Sequence, residues 1–285
     1  MAAAASYLQA KCNGGRWLVR VEDIDPPREM PGSDKLILDA LEAYGFQWDG
    51  AVSYQSRFAE RHNSLIAALI EQGLAYPCSC SRRELAGLAR GPLGIIYPGF
   101  CRNGARGNDV ALRLKTTDEL IVFTDRLQGR YAERLQTESG DFVIKRRDGL
   151  IAYHLAVVAD DYDQGVTEVV RGVDLLDSTP RQLYLQQCLG IPAPAYMHIP
   201  VAVNADGQKL SKLTGAAAIS TTNAGPTLVA ALRALGQQPP GRLSDAALAD
   251  IWDWAMQHWD PMVMAGKKSI PFDQFTLAAS KNGLS

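Results

Sequence analysis

The stretch Trp17-Leu18-Val19-Arg20-Val21-Glu22-Asp23-Ile24-Asp25-Pro26-Pro27-Arg28 decides the fold. It opens as a short apolar, β-prone run and breaks off into an acidic segment with two prolines. That is the pattern of a buried strand running into a loop. Downstream, Ser33 to Tyr44 carries Leu36, Ile37, Ala40, Leu41 and Tyr44 at helical spacing, with Gly45 as its stop. Arg57 to Gln72 repeats the pattern through Leu65, Ala68 and Leu69 and ends at Gly73. Strand, helix and helix in that order predict a wound α/β sheet. Glu22 and Asp23 then stand at the C-terminal end of a parallel strand, where open α/β sheets bind ligands. An acidic pair there suits a substrate ammonium or a ribose hydroxyl, and equally a capping cluster in which Asp25 starts a turn at Pro26.

The chain has 285 residues, enough for one large α/β domain with appendages or for two domains. Hydrophobic residues at 47% and charged residues at 21% describe a globular protein. No apolar run approaches the roughly 18 residues a membrane span needs, so no membrane partner is expected. Met1 to Leu8 lacks the basic start of a secretory signal, and a cytoplasmic location is expected. A net charge of −2 lacks the basic excess of proteins that coat nucleic acid, yet charge alone neither supports nor excludes a nucleic-acid partner; no DNA partner is expected. Any RNA contact must come from patches such as Lys145-Arg146-Arg147, or Arg82-Arg83 with Arg90.

Residues 76–104 change character, being rich in Cys, Gly, Pro and Arg, with a short helical piece at Ser81 to Ala89. They read as a small insertion. Cys78, Cys80 and Cys101 fall within it, and Zn²⁺ favours four-coordinate, thiolate-rich sites that staple segments lacking a core of their own. No His lies nearby, so a water, an acidic side chain or the phenolate of Tyr97 is left to complete the set. Cys12 and Cys188 read as buried small hydrophobes. Beyond the insertion, Val110 to Leu114, Ile121 to Phe123, Phe142 to Ile144 and Val166 to Val170 show strand patterns. Thr179 to Leu189, Pro226 to Leu235 and Asp245 to Gln257 read as helices.

Two further segments carry chemistry. Arg171 follows the Val166 to Val170 run, and a guanidinium at a strand end can grip a carboxylate through two parallel bonds. Tyr153 and His154 open an apolar run and can add a hydroxyl and an imidazole. Asn204 to Lys212 follows Ile199-Pro200-Val201-Ala202-Val203 and puts Lys209, Ser211, Lys212 and a Gly turn into one loop. Two ammonium groups three residues apart suit the charge of a triphosphate as pyrophosphate leaves, though the loop alone also describes a solvated basic turn.

Arg20-Val-Glu22-Asp23-Ile-Asp25-Pro-Pro-Arg28 resembles the "R-I/V-E-D-x-D-x-x-R" segment of glutamyl-tRNA synthetases. Tyr153-His-Leu-Ala-Val-Val-Ala-Asp160-Asp161 and Arg171-Gly172-Val-Asp174 resemble that family's "Y-x-x-A-x-V-x-D-D" and "R-G-x-D" segments. Lys209-Leu-Ser-Lys212 is similar to the second signature of class I aminoacyl-tRNA synthetases. The nearest likeness is to the glutamyl-queuosine tRNA(Asp) synthetases, which resemble a glutamyl-tRNA synthetase catalytic domain without its anticodon-binding region. The residues after Lys212 are too few for that region, and Val157 stands where many glutamyl-tRNA synthetases carry Asn.

The resemblance implies a class I, Rossmann-type α/β catalytic domain at residues 1–75 and 105–225. It also implies a zinc-binding insertion at 76–104 and a short C-terminal helical region at 226–285. It implies ATP-dependent activation of glutamate, with Mg²⁺, and transfer to queuosine in tRNA(Asp). By position, Glu22, Tyr153 and Arg171 would bind glutamate. Lys212, helped by Lys209, would serve the ATP phosphates, and Cys78, Cys80, Tyr97 and Cys101 would hold one structural zinc. The family's opening strand and its "H-I/F-G" signature have no counterpart among the 285 residues. Ala2 to Ala10 resembles the helix that follows that signature. On the resemblance, the chain starts about twenty residues late through a misassigned start or a truncation, and little adenylation activity is expected of it. A non-catalytic zinc- and tRNA-binding remnant, or a fragment of a glutamyl-tRNA synthetase, are the competing expectations.

Overall fold

The computed structural model describes residues 1–204, 206–210, 219 and 221–271. In chain order the first third runs α1 (Ala2–Cys12), β1 (Arg20–Val21), α2 (Ser33–Ala43), β2 (Ser53–Tyr54), α3 (Ala59–Glu71), β3 (Ala75–Cys78) and α4 (Arg82–Leu85). The hairpin β4 (Arg90–Gly91) and β5 (Gly94–Ile95) follows, then β6 (Ala111–Leu114), β7 (Leu120–Asp125), β8 (Gly129–Arg134), α5 (Leu135–Glu138) and β9 (Phe142–Lys145). The remainder is α6 (Tyr153–Asp163), β10 (Glu168–Gly172), α7 (Thr179–Leu189), β11 (Ala195–Ile199), β12 (Val201–Val203), α8 (Ala224–Ala234), α9 (Leu248–His258) and β13 (Ser269–Pro271).

Parallel pairing dominates where the α/β pattern is expected. β1 pairs with β2 through Arg20↔Ser53 and Val21↔Tyr54, and β10 pairs with β11 from Glu168↔Ala195 to Gly172↔Ile199. The expected single wound sheet is not continuous, because these two parallel pairs share no ladder and a cavity separates them. Residues 17–19 bond the 49–53 loop through Asp49 N–H to Trp17 O and Ser53 N–H to Val19 O. The strand proper is only Arg20–Val21, half-buried rather than buried, as is β10. Residues of both strands line the cavity.

Helix signals translate more directly. Gly45 (φ 74°) and Gly190 (φ 65°) take the left-handed conformation that ends α2 and α7. Ser81 and Glu84 form a reciprocal capping box on α4, which is shorter than the expected Ser81 to Ala89 piece. One expectation fails on α2: Leu36 and Ile37 are exposed, so its apolar stripe points partly to solvent. Cys12, expected to be buried, is exposed as the last residue of α1, and Cys188 is half-buried.

Three clusters form the core. The first joins α1, α8 and α9 through Tyr7, Leu8, Leu228, Leu232, Ile251 and Trp252. Within it Tyr7, Trp17, Phe46 and Trp252 interlock with ring centroids 4.8–5.3 Å apart. Each such contact contributes about 0.5–1.5 kcal/mol beyond area burial. Trp17 Nε1 donates to Ser6 Oγ at 3.0 Å and Trp252 Nε1 to the Tyr44 carbonyl at 2.9 Å, so the indoles lose no hydrogen bond inside. This cluster fixes the residues that lead into β1. The second cluster packs α3, α6 and α7 against the antiparallel sheet β3-β6-β9. The third, around Tyr76, Cys78, Leu85, Tyr97 and Cys101, is the small core of the cysteine-bearing segment.

Candidate active site

The cavity between β1 and β10 has a volume of about 880 Å³. Glu22 lies at the end of β1, Arg171 near the end of β10 and Tyr153 in the first turn of α6, and all three line it. The sequence pattern places Tyr153 near a strand end. Its segment is instead a helix, whose first turn points the phenol at the same opening. His154 does not join them: it is half-buried against Phe142 and Tyr153, where desolvation and the nearby Arg181 and Arg171 hold its ring down at about 3. Asp23 is also elsewhere, accepting from Ser56 N–H at 2.8 Å and Ser56 Oγ–H at 2.6 Å, while Asp25 precedes the 3₁₀ turn Pro26–Arg28 without a side-chain cap bond.

Charge in the cavity is arranged asymmetrically. Arg20 donates from Nη2 to Asp161 Oδ1 at 2.8 Å and from Nη1 to Gln164 Oε1 at 2.7 Å, with Glu22 Oε1 at 3.6 Å. Burial pushes the Glu22 and Asp161 carboxyls above their ordinary range, opposed chiefly by Arg20. Arg171 donates from Nη2 to Thr179 Oγ1 at 2.8 Å and Gln182 Oε1 at 2.7 Å, and from Nε to His198 Nε2 at 3.0 Å. Both Nη2 hydrogens are therefore used internally. Nη1 makes no hydrogen bond among the described residues.

Lys209 does not line the cavity. Its Nζ meets Asp174 Oδ2 at 2.5 Å, just beyond β10, so the lysine loop is tied to the strand that carries Arg171. Lys212 lies outside the described residues. The basic patch at 145–147 is largely taken up by structure. Lys145 bonds Asn63, Arg146 pairs with Asp25 and Asp148, and Arg147 pairs with Asp109 and donates to the Ser79 and Cys80 carbonyls.

In the third cluster the Sγ atoms of Cys78, Cys80 and Cys101 lie within 4.8 Å of one another. Tyr97 Oη is 3.4 Å from both Cys78 Sγ and Cys80 Sγ. Zn–S bonds of about 2.3 Å in a tetrahedron set sulfurs roughly 3.8 Å apart, so the three thiols and the phenol fit such an ion. Burial works against ionising Cys101, but Tyr97, Ser79 and Cys80 bring its thiol down to about 6. Burial and the surrounding thiols push the Tyr97 phenol well up.

Sequence reasoning missed the partners that hold the site: Arg20 with Asp161 and Gln164, and Arg171 with His198, Thr179 and Gln182. The "D-D" pair at 160–161 was the nearest signal. Asp161 faces the cavity, while Asp160 is buried against His62 and Gln55 at 2.7 and 2.6 Å.

Residues 1–91 and 100–234 match the family model described as tRNA synthetases class I (E and Q), catalytic domain. The chain is 54% identical over 271 residues to the glutamyl-Q tRNA(Asp) synthetase of Ectopseudomonas mendocina (strain ymp), covering 95% of this chain and 90% of that protein. It is 50% identical over 277 residues to the glutamyl-Q tRNA(Asp) synthetase of Pseudomonas fluorescens, covering 97% and 91%. In fold it is similar to the crystal structure of a glutamate-tRNA synthetase from Elizabethkingia anophelis, with a TM-score of 0.77 at 22% identity. That likeness covers 95% of this chain and spans 64% of that one. Class I synthetases use ATP with Mg²⁺, and among the described residues no helix is long and apolar enough to cross a membrane. The chain belongs to the class I tRNA synthetase family for Glu and Gln, and it is a ligase whose half-identical relatives are glutamyl-Q tRNA(Asp) synthetases.

Proposed function

We propose that the chain activates glutamate with ATP and passes the glutamyl group to queuosine at the wobble position of tRNA(Asp). The observation that carries this reading is the convergence of Glu22, Tyr153 and Arg171 on one cavity at the ends of two parallel strands. Glu22 offers a carboxylate to the substrate ammonium, Tyr153 a hydroxyl, and Arg171 a guanidinium nitrogen to a substrate carboxylate. A glutamate carboxylate oxygen attacks the α-phosphorus of ATP, a P–O bond forms, and pyrophosphate leaves. A hydroxyl of the queuosine cyclopentenediol then attacks the acyl carbon, and AMP leaves. No protein nucleophile is needed, since positioning and charge stabilisation carry such chemistry. Lys209, together with Lys212, neutralises the phosphates during the first step, with Mg²⁺ accompanying ATP.

Residues 1–75 and 105–225 form the catalytic body in this reading, and 226–285 a C-terminal helical region. Residues 76–104 form an insertion in which Cys78, Cys80, Cys101 and Tyr97 hold one zinc ion. The ion's contribution is structural, joining segments that share only a small apolar cluster. Charging assays with radiolabelled glutamate on queuosine-containing tRNA(Asp), queuosine-free tRNA(Asp) and tRNA(Glu) test the reading. Transfer to the first alone is expected. Equal transfer to queuosine-free tRNA(Asp), or transfer to tRNA(Glu), overturns it.

A further inference from the structure

Arg171 stands directly across the parallel ladder from His198, and behind His198 lies Asp125 at the end of β7. Both His198 and Asp125 are buried. Asp125 Oδ1 accepts the backbone N–H groups of Leu127 at 3.0 Å and Gln128 at 2.9 Å, while Oδ2 accepts the His198 backbone N–H at 3.1 Å. Oδ2 also lies 2.6 Å from His198 Nδ1. Burial would raise this carboxyl, but the His198 ring and the backbone donors hold it below its ordinary value, so it is an anion that only accepts. His198 Nδ1 must therefore carry the proton. The other nitrogen, Nε2, receives the Nε–H of Arg171 at 3.0 Å and lies 3.3 Å from Thr179 Oγ1. A guanidinium donor requires an acceptor there, so the ring is the neutral Nδ1–H tautomer.

We infer that Asp125 and His198 are positioning residues for the amino-acid site: Asp125 fixes the tautomer of His198, and His198 holds the Arg171 plane so that Nη1 faces the substrate carboxylate. The inference rests on the reading of Arg171 as a carboxylate-binding residue. Stacking completes the brace. The Tyr196 ring lies parallel to His198 at 6.0 Å, and the Arg171 guanidinium sits over the same ring at 5.4 Å. Without the Asp125 anion the ring is free to put its proton on Nε2. Two donors then oppose each other, and Arg171 loses the contact that sets its plane.

Three variants of the full chain test this: Asp125→Asn, His198→Leu and His198→Gln. The Gln side-chain oxygen falls where Nε2 stood and restores an acceptor. Glutamate and ATP affinities are measured by calorimetry, alongside ¹⁵N NMR of the His198 ring and hydrogen exchange of the Arg171 Nε–H. Wild type is expected to show a protonated Nδ1, a bare Nε2 and a protected Arg171 Nε–H. Asp125→Asn and His198→Leu are expected to weaken glutamate binding about tenfold or more while ATP affinity stays within about twofold. His198→Gln is expected to recover most of the loss. A protonated Nε2 in the wild type, or full glutamate affinity in His198→Leu, overturns the inference. If Asp125→Asn fails to fold, the two His198 variants decide alone. Failure of the wild type to bind glutamate counts against the proposed function, and the ring tautomer and Arg171 exchange then still decide for or against the brace.

Discussion

Replacing Asp141 by Asn is expected to destabilise the chain by about 3 kcal/mol and to make its melting less sensitive to acid. The Asp141 carboxylate is fully buried and collects five donors. Arg102 reaches it from Nε at 2.7 Å and Nη2 at 2.5 Å, Tyr76 Oη at 2.5 Å, and Thr116 from N at 2.8 Å and Oγ1 at 2.9 Å. Tyr76 and Arg102 flank the cysteine cluster and Thr116 follows β6 of the antiparallel sheet, so this one anion ties the two together. The amide of the Asp141→Asn variant would keep the shape but set its N–H against the Arg102 N–H and leave a guanidinium without its counter-charge. Breaking a buried pair in this way costs about 3–5 kcal/mol, and the 30% exposure of the Arg102 side chain argues for the lower end. With an unfolding entropy of about 2.1 cal/mol/K per residue, about 3 kcal/mol over a chain of this length lowers Tm by about 5 °C. Burial alone would raise the Asp141 carboxyl, yet Arg102, Tyr76 and Thr116 hold it below its ordinary value. A depressed carboxyl contributes stability that is fully present above its unfolded value near pH 4 and is lost as pH falls through the folded one. Calorimetric melts of parent and variant from about pH 7 down to about pH 3 read both effects. A variant melting within about 1 °C of the parent at neutral pH, or one whose melting falls with acid as steeply as the parent's, refutes the reasoning.

Purified chain is expected to hold about one equivalent of zinc, and Cys101→Ser to lose most of it together with cooperative melting of the insertion; metal analysis below about half an equivalent in the parent sinks the site. Glu22→Gln is expected to weaken glutamate binding about tenfold or more without lowering Tm at neutral pH. The sign follows from burial, which raises the Glu22 carboxyl in the fold, so its ionisation costs stability as pH rises through that raised value. The 43% exposure of its side chain keeps the effect small, and a clear drop in Tm would contradict it. Lys209→Ala is expected to slow glutamate-dependent pyrophosphate exchange at least about tenfold with glutamate affinity unchanged, and an equal loss in both would mean the lysine merely braces Asp174.

How much of this was legible in the sequence depends on how local each signal is. Helices α2, α3 and α7 were readable because their periodicity and glycine stops lie within one segment. Strand extents were not, since a ladder depends on its neighbour: Trp17 and Val19 each accept a backbone bond from the 49–53 loop, but only Arg20–Val21 forms a ladder. Glu22, Tyr153 and Arg171 were picked out through short motifs, and all three line the cavity. Their supports were not, because Arg20 and Asp161 are separated by 141 residues and His198 and Asp125 by 73, and nothing local marks either pair. Tyr97 was named through the resemblance, and its phenol lies 3.4 Å from Cys78 Sγ and Cys80 Sγ where β3 and the loop ending at Cys101 come side by side.

The two arginines of the cavity show why one residue type can take opposite roles there. Arg20 has the Asp161 carboxylate at 2.8 Å and Glu22 at 3.6 Å, so its charge is met before any substrate arrives. Arg171 is held by a neutral imidazole, a hydroxyl and an amide, and no carboxylate reaches it within ion-pair distance among the described residues. Its guanidinium is oriented without being neutralised, which is the condition for attracting an anionic group from solution. Glu22 is the mirror case, since Arg20 makes its closest contact with Asp161 and leaves Glu22 at a distance that weakens pairing. A zwitterion that brings an ammonium to Glu22 and a carboxylate to Arg171 relieves both uncompensated charges at once. A ligand with only one of the two groups leaves the other charge unmet. On the proposed reading of the site, discrimination for an amino acid rests on which cation the protein leaves without a carboxylate partner.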